Sequence, residues 1–277
     1  MFYDDKKFDY QISKYALNNK FLKEYMCASK LLTDWGVLCL LKSFQEENLF
    51  INANKISIDE IKKQLKITDF YMPLLNALLE LLHRYNYISL SELDNYILSY
   101  HKLVAWDMLN FEKEIIIKQY PCIKVDANFL QIVIASYVKC LRGEESFLNI
   151  MFPNGSFKVI EQIYKNNPDS IYYNQLTALI ANSFSECKKS KKSIIEIGAG
   201  VGSISSSLLP ILKLNNSCYD YIYTDISRAF IEYGKNLFFT DYNFLTFKTL
   251  NIEKNPISQG FQSNHYDIAI ASNVIHT

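Results

Sequence analysis

The stretch of sequence that decides the fold is SIIEIGAGVGS at residues 193–203. It begins with an apolar run that suits a buried strand, and it continues with Gly198, Gly200 and Gly202 at alternate positions. From Ser203 to residue 214 the apolar residues recur at helical spacing. A strand, a glycine-rich turn and a helix in this order are typical of an α/β protein that binds a nucleotide-like ligand where the helix begins.

Around this stretch, short apolar runs alternate with helical patterns. The predicted strands are 193–197, 219–224, 244–250 and 266–271, and the predicted helices between them are 203–214 and 227–239. Such alternation predicts a doubly wound parallel sheet. We therefore expect a Rossmann-like α/β core at residues 186–277 that stops after its fourth strand, so that the C-terminal strands of a complete sheet are missing.

The sequence before this core has the spacing of apolar residues that is typical of a helical lobe. Apolar residues recur at spacings of three and four over 21–44, 71–87, 129–141, 157–164 and 173–184, and residues 87–90 suit a short strand. Ser57 with Glu60 three residues later predicts a capping box for a helix over 58–65. We predict a mostly helical N-terminal lobe at residues 1–185, on the substrate or lid side of the core.

Composition excludes several classes of protein. Lys and Arg together number 29 and so do Asp and Glu, which leaves no net charge to attract nucleic acid. No stretch approaches the roughly 20 apolar residues of a membrane span, and the charged N-terminus does not suit a secretory signal. The six cysteines lack metal-site spacing. We predict a cytoplasmic globular protein with no metal, no membrane partner and no nucleic-acid partner.

Two residues beside the glycines distinguish between adenosine-containing cofactors. A dinucleotide fingerprint requires glycine where this chain has Ser203, which disfavours a nicotinamide dehydrogenase. Glu196 places an acid within the strand itself. This pattern suits a ligand with an amino-acid end and no pyrophosphate, and it predicts S-adenosylmethionine as the cofactor.

Polar residues stand at the ends of the other predicted strands, where ligands bind to sheets of this kind. Asp225 is placed to accept hydrogen bonds from both ribose hydroxyls, and the uncharged amide of Asn251 is placed to read the edge of adenine. The predicted cofactor site consists of Glu196, Gly198, Ala199, Gly200, Gly202, Asp225, Ile226, Asn251, Ile252 and Asn273.

Two residues after the fourth strand are placed toward the methyl acceptor. Asn273 and His276 follow that strand in the segment SNVIHT at residues 272–277. A histidine at a carboxyl strand end that faces the sulfonium side of the ligand is suited to general-base catalysis. His276 is therefore the predicted catalytic residue.

Beyond these motifs, the sequence resembles a known family, the C-methyltransferase domains of polyketide synthases and hybrid polyketide–nonribosomal peptide synthetases. These are class I, S-adenosylmethionine-dependent enzymes. The resemblance spans most of the chain and is strongest in CLRGE (140–144), IMFPNGS (150–156), IY (163–164), YN (173–174), IEIGAG (195–200), YTDIS (223–227) and ASNVIH (271–276). It implies methyl transfer to the α-carbon of a β-ketoacyl thioester held on an acyl carrier protein, with neighbouring synthase domains as further partners.

The resemblance also carries implications for individual residues. It makes Tyr173 and Asn174 candidates for the substrate pocket, and it implies that His276 is supported by a glutamate about two dozen residues further along, whereas this chain stops at Thr277. We therefore expect the 277-residue chain to retain most of the S-adenosylmethionine site but to be poorly soluble and to have little or no turnover. Comparison with a longer chain tests this, and equal turnover would contradict it. The sequence departs from the family pattern in VG at 201–202, where Thr-Gly is common, and in Asn251, where Asp is common.

Two other functions are compatible with these residues. One is a free-standing O- or N-methyltransferase for small molecules, whose helical lobe would serve dimerisation. The other is a truncated, methyltransferase-like scaffold without catalytic activity. Ligand binding separates the second from the enzymes, because a scaffold should show no adenosylmethionine-dependent rise in melting temperature.

Overall fold

The computed structural model describes residues 20–51, 55–91, 96–99, 103–186 and 192–275. The chain divides into two compact units, of which the first is Phe21–Ile160 and the second includes all residues from Glu161 onward. The predicted core, in contrast, begins at residue 186. The second unit begins earlier because a long helix before the sheet shares the core of the sheet. The assignment of the lobe to the substrate and of the core to the cofactor stays a prediction.

The first unit is mostly helical. Its helices are α1 (Lys20–Glu46), α2 (Ile58–Leu65), α3 (Met72–Arg84), α4 (Trp106–Gln119), α5 (Lys124–Leu141) and α6 (Phe147–Met151). It also contains an antiparallel sheet of β1 (Lys55–Ser57), β2 (Ile88–Ser91) and β3 (Tyr96–Ser99) in the order β1-β3-β2. The strand predicted at 87–90 is therefore confirmed, while the other two strands of this sheet and α4 were not predicted.

Two sets of polar interactions stabilise helix ends in this unit. The predicted capping box is present, since the Ser57 hydroxyl accepts a hydrogen bond from the Glu60 backbone N–H at 3.2 Å and the Glu60 carboxylate accepts one from the Ser57 N–H at 2.8 Å. Arg142 donates to the carbonyl of Leu65 at 2.9 Å and forms an ion pair with Glu47 at 2.5 Å. The arginine in the CLRGE segment thus joins the ends of α2 and α5 to the turn after α1.

The second unit is a parallel sheet with helices. It contains α7 (Lys158–Lys165), α8 (Pro168–Glu186), β4 (Lys192–Ile197), α9 (Ser203–Asn215), β5 (Cys218–Asp225), α10 (Arg228–Phe238), β6 (Leu245–Thr249) and β7 (Ile268–Ala271). The strand order is β6-β5-β4-β7, and all pairs are parallel. The predicted α/β architecture with a helical N-terminal region is confirmed, and each predicted strand of the core is present within a few residues of its predicted bounds.

Burial explains this arrangement. Leu208, Leu209 and Leu212 of α9 are completely buried, and Ala178 and Ala181 of α8 lie in the same cluster. Small residues on α8 allow the two helices to approach each other closely. In the described part of the chain, none of the helices is long and apolar enough to cross a membrane.

Candidate functional site

The carboxyl ends of all four core strands lie at one edge of the sheet, because the strands are parallel and in register. Ile195 of β4 is paired with Ile222 of β5 and with Ala269 of β7, and Ile222 is paired with Thr246 of β6. The residues that follow the strands therefore converge at this edge, as in other sheets of this class. We call this the carboxyl edge.

The glycine turn at 198–202 lies at the centre of the carboxyl edge. Gly198, Gly200 and Gly202 have φ values of +62°, +57° and +71°, in the left-handed region that favours glycine. A Cβ on Gly198 would lie 2.3 Å from Val274, and one on Gly202 would lie 2.6 Å from the ring of Phe238. A Cβ on Gly200 would meet no atom nearer than 4.0 Å. The outer glycines thus serve packing, and the middle one leaves open space beside its Cα for a ligand.

Asp225 connects the glycine turn to the start of α10. One carboxylate oxygen accepts a hydrogen bond from the Gly200 N–H at 2.9 Å, and the other accepts one from the Ser227 N–H at 2.8 Å. The N–H of Ala199 donates to the carbonyl of Thr224 at 2.8 Å, which adds a second tie between the turn and β5. A carboxylate has about four acceptor positions, so each oxygen retains capacity for a further donor such as a hydroxyl.

A tyrosine that the sequence analysis did not single out supports the same turn. The hydroxyl of Tyr223 donates to the carbonyl of Gly200 at 2.6 Å, and its completely buried ring packs against Phe238 and Phe247. Gly234 of α10 makes room for this ring, because a Cβ there would lie 2.7 Å from it. The signal available in the sequence was an aromatic residue two positions before Asp225, the acid at the end of β5. A side chain at that position lies behind the glycine turn.

Glu196 is buried beneath the turn, 3% exposed. Its carboxylate accepts hydrogen bonds from the hydroxyl of Tyr221 at 2.7 Å and from the hydroxyl of Ser205. Burial raises the pKa of Glu196 from 4.5 to about 7; hydrogen bonds from the side chains of Ser205 and Tyr221 and from the backbone of Ser205 oppose that rise, and the charge of Asp225 adds to it. The carboxylate is thus bonded to protein groups, and its predicted contact with the cofactor stays a prediction.

Asn251 lies in a structured loop after β6. Its side-chain oxygen accepts a hydrogen bond from the Glu253 N–H at 2.9 Å, and its backbone is bonded to the side chain of Gln259. The N–H of Leu250 donates to the carbonyl of Asp225 at 3.0 Å, which keeps this loop beside the end of β5. The structure therefore brings Asn251 to the carboxyl edge, as predicted from its position in the sequence.

Apolar side chains accompany these polar groups. Ile226 is 65% exposed and Ile252 is 42% exposed, and they directly follow Asp225 and Asn251. Exposed isoleucines at the ends of two neighbouring strands provide apolar surface suited to the faces of a flat ring. Asn273, also exposed, has a φ of +53° in the turn after β7.

The remaining predicted site residues are less well placed by the structure. His276 lies outside the described residues. Tyr173 is 59% exposed, whereas Asn174 is buried and donates a hydrogen bond to the carbonyl of Tyr164 at 3.0 Å. Their role in a substrate pocket stays a prediction. Within the described ranges, no cluster of His, Cys, Asp and Glu is arranged to hold a metal ion.

Comparison with known proteins finds a methyltransferase domain in the C-terminal part of this chain. A family model described as "Methyltransferase domain" matches residues 195–277. The chain is similar to polyketide synthase PksR of Bacillus subtilis (strain 168), with 33% identity over 159 residues, and to highly reducing polyketide synthase verA of Penicillium polonicum, with 36% identity over 149 residues. These matches cover 55% and 52% of this chain but only 6% and 5% of the relatives.

Solved structures narrow the comparison. The DszA carbon methyltransferase is 25% identical with a TM-score of 0.85, and the match covers 93% of this chain and 67% of that one. The C-methyltransferase domain of the citrinin polyketide synthase shares the fold at 20% identity with a TM-score of 0.81, over 95% of this chain and 69% of its own. The chain therefore has the class I methyltransferase fold. The resemblance to polyketide synthase C-methyltransferase domains, predicted from the sequence, is confirmed.

The glycine turn yields a prediction that separates packing from ligand contact. Gly202→Ala should lower the free energy of unfolding by about 1–2 kcal/mol for the left-handed backbone and by about 1–3 kcal/mol more for the collision with Phe238. Gly200→Ala should incur only the backbone cost but should abolish binding of S-adenosylhomocysteine. Urea denaturation and calorimetric titration measure the two effects. Equal stability of the two variants, or unchanged binding by Gly200→Ala, would contradict this account.

The buried carboxyl of Glu196 predicts a pH-dependent stability. Below about pH 4.5 the group is protonated whether the chain is folded or unfolded, and between pH 4.5 and 7 only the unfolded chain loses the proton. At 1.36 kcal/mol per pH unit, the free energy of unfolding should fall by roughly 3 kcal/mol over this interval. Glu196→Gln should remove that fall. Denaturation of the wild type and of Glu196→Gln at several pH values measures the effect. A difference in free energy of unfolding between the two proteins that did not change with pH would refute the prediction.

Proposed function

We propose that this chain binds S-adenosylmethionine at the carboxyl edge and transfers its methyl group to the α-carbon of a β-ketoacyl thioester carried by an acyl carrier protein. The observation that supports this most strongly is the combination of an Asp225-anchored glycine turn, open at Gly200, with a fold that matches the DszA carbon methyltransferase over 93% of the chain. The chain corresponds to about 5% of the length of its polyketide synthase relatives, in which such a domain would act beside others.

The residues at the carboxyl edge fit S-adenosylmethionine. The open space beside Gly200 and the N-terminal end of α9 suit the amino-acid end of the ligand. The carboxylate of Asp225 suits the ribose hydroxyls, and the amide of Asn251 suits the edge of adenine. Ile226 and Ile252 supply apolar contacts to the ring faces. When bound, S-adenosylmethionine supplies an electrophilic methyl group on a sulfonium sulfur.

The acceptor chemistry requires a base from the protein. The α-carbon of a β-ketoacyl thioester becomes nucleophilic when its proton is removed, and the ketone and the thioester together acidify that proton. We assign this proton transfer to His276 as general base, because it follows the fourth strand in the sequence and because the resemblance to C-methyltransferase domains implies a histidine in this role. Asn273 is assigned to the cofactor side of the same segment.

Binding and turnover of variants test the proposal. S-adenosylhomocysteine should bind to the 277-residue chain, and the longer chain used for comparison should add one methyl group to the α-carbon of a β-ketoacyl thioester on an acyl carrier protein, detected by mass spectrometry. His276→Ala should lower the methylation rate by about 10²–10⁴-fold and should leave the affinity for S-adenosylhomocysteine unchanged. His265→Ala is the matched control, because His265 lies 3.3 Å from Asp220 near the start of β5.

Each possible result has a distinct meaning. Binding with methylation of oxygen or nitrogen in small molecules, but not of the thioester, would favour a free-standing O- or N-methyltransferase. Absence of binding would favour a scaffold. Retained turnover in His276→Ala would remove that residue from the mechanism while leaving the cofactor assignment in place.

A further inference from the structure

The loop between β6 and β7 is built around one glutamine. The side chain of Gln259 accepts a hydrogen bond from the Asn251 N–H and donates one to the Asn251 carbonyl, both at 2.9 Å. The same side-chain nitrogen lies 3.3 Å from the carbonyls of Lys254 and Asn255. A single amide thus satisfies both backbone groups of Asn251, in the way that a neighbouring strand would.

Gln259 is itself held in place by the loop. It ends the short 3-10 helix Ile257–Gln259, and Gly260 follows with a φ of +84°. Phe261, two positions after the glutamine, is 4% exposed and packs with Ile195, Ile222 and Leu250 on the sheet. The loop is therefore anchored in the core immediately beyond Gln259, and the glutamine is directed back to Asn251 by a fixed turn.

The orientation of the Asn251 amide is fixed as well. The Glu253 N–H donates to its side-chain oxygen at 2.9 Å, which identifies the oxygen end, and the side-chain nitrogen has no hydrogen-bond partner among the described residues. An asparagine amide can accept from the N6 amino group of adenine and donate to the neighbouring ring nitrogen. The same amide disfavours hypoxanthine, which carries an oxygen where adenine has its amino group, because two acceptor oxygens would then face each other.

We propose that Gln259 is a positioning residue that gives this site its selectivity for adenine. The inference rests on the proposed function, since it concerns the adenine end of the proposed cofactor. Gln259 sets the backbone of Asn251, and Asn251 presents its amide in one orientation before the ligand arrives. A loop that is ordered before the ligand binds does not lose affinity to the entropy cost of its own ordering. Its amide also cannot rotate to fit another base, which gives selectivity.

The chemistry also explains why the residue is a glutamine. Three of its contacts are donations from the side-chain nitrogen to backbone carbonyls. A glutamate would bring a carboxylate against these same oxygens and would lose all three. Gln259→Glu should therefore be at least as damaging as Gln259→Ala, although its shape is unchanged.

The test compares two ligands that differ only in the base. Calorimetric titration of the 277-residue chain should show tighter binding of S-adenosylhomocysteine than of S-inosylhomocysteine. Three variants should weaken binding of S-adenosylhomocysteine about tenfold and should bring the ratio of the two affinities closer to one. They are Gln259→Ala, Gln259→Glu and the nearly isosteric Gln259→Met. Gln262→Ala is the control, because Gln262 is an exposed glutamine in the same loop, and it should leave the ratio unchanged.

The ratio distinguishes positioning from a general loss of stability, which would shift the melting temperature but not the preference between bases. If the wild-type chain binds neither ligand, the proposed function fails and the inference falls with it. If the wild type prefers the adenine ligand and a folded Gln259→Met retains the same ratio, only the inference fails. If Gln259→Ala does not fold, Gln259→Met decides the matter.

Discussion

The carboxylate of Asp225 is the interaction on which the rest of the site depends. Its two oxygens accept backbone N–H groups from Gly200 and Ser227, which belong to turns on separate βα units. Charge-assisted hydrogen bonds of this kind are stronger than neutral ones. The acid also lies just before the start of α10, where a negative charge is favoured by the helix dipole. One side chain thereby fixes the glycine turn, the helix start and the end of β5 relative to one another.

Behind that carboxylate, polar side chains of the two central strands support the turn from below. Tyr223 bonds to the Gly200 carbonyl, and Glu196 is bonded to Tyr221 and Ser205 in a buried network. Burying a carboxyl is costly unless hydrogen bonds compensate, and a satisfied network of this kind is rigid. The turn therefore has a fixed shape from the protein alone, which is the property that a binding site for a small ligand requires.

Much of this core could be predicted from the sequence because its signals are local. Short apolar runs, alternate glycines and a strand-end acid predicted the four parallel strands and the position of Asp225 at the carboxyl end of the second one. The sheet of the first unit was missed in part because β1 and β3 have only three and four residues and pair across long stretches of chain. Gln259 could not be predicted as an anchor, because its contact with Asn251 depends on the turn at Gly260. The burial of Glu196 against Ser205 likewise depends on how α9 packs.

The close contact between Gly198 and Val274 has a consequence for how such chains diverge. A Cβ at position 198 would lie 2.3 Å from the valine side chain, so the glycine turn and the segment after β7 are interlocked. That segment carries Asn273. The glycine turn and the segment after β7 therefore constrain each other, and a substitution in one of them affects the other. A larger residue at 198 would collide with Val274 and, even beside a smaller residue at 274, would have to adopt the left-handed backbone that favours glycine, so position 198 should remain glycine in descendants of this chain.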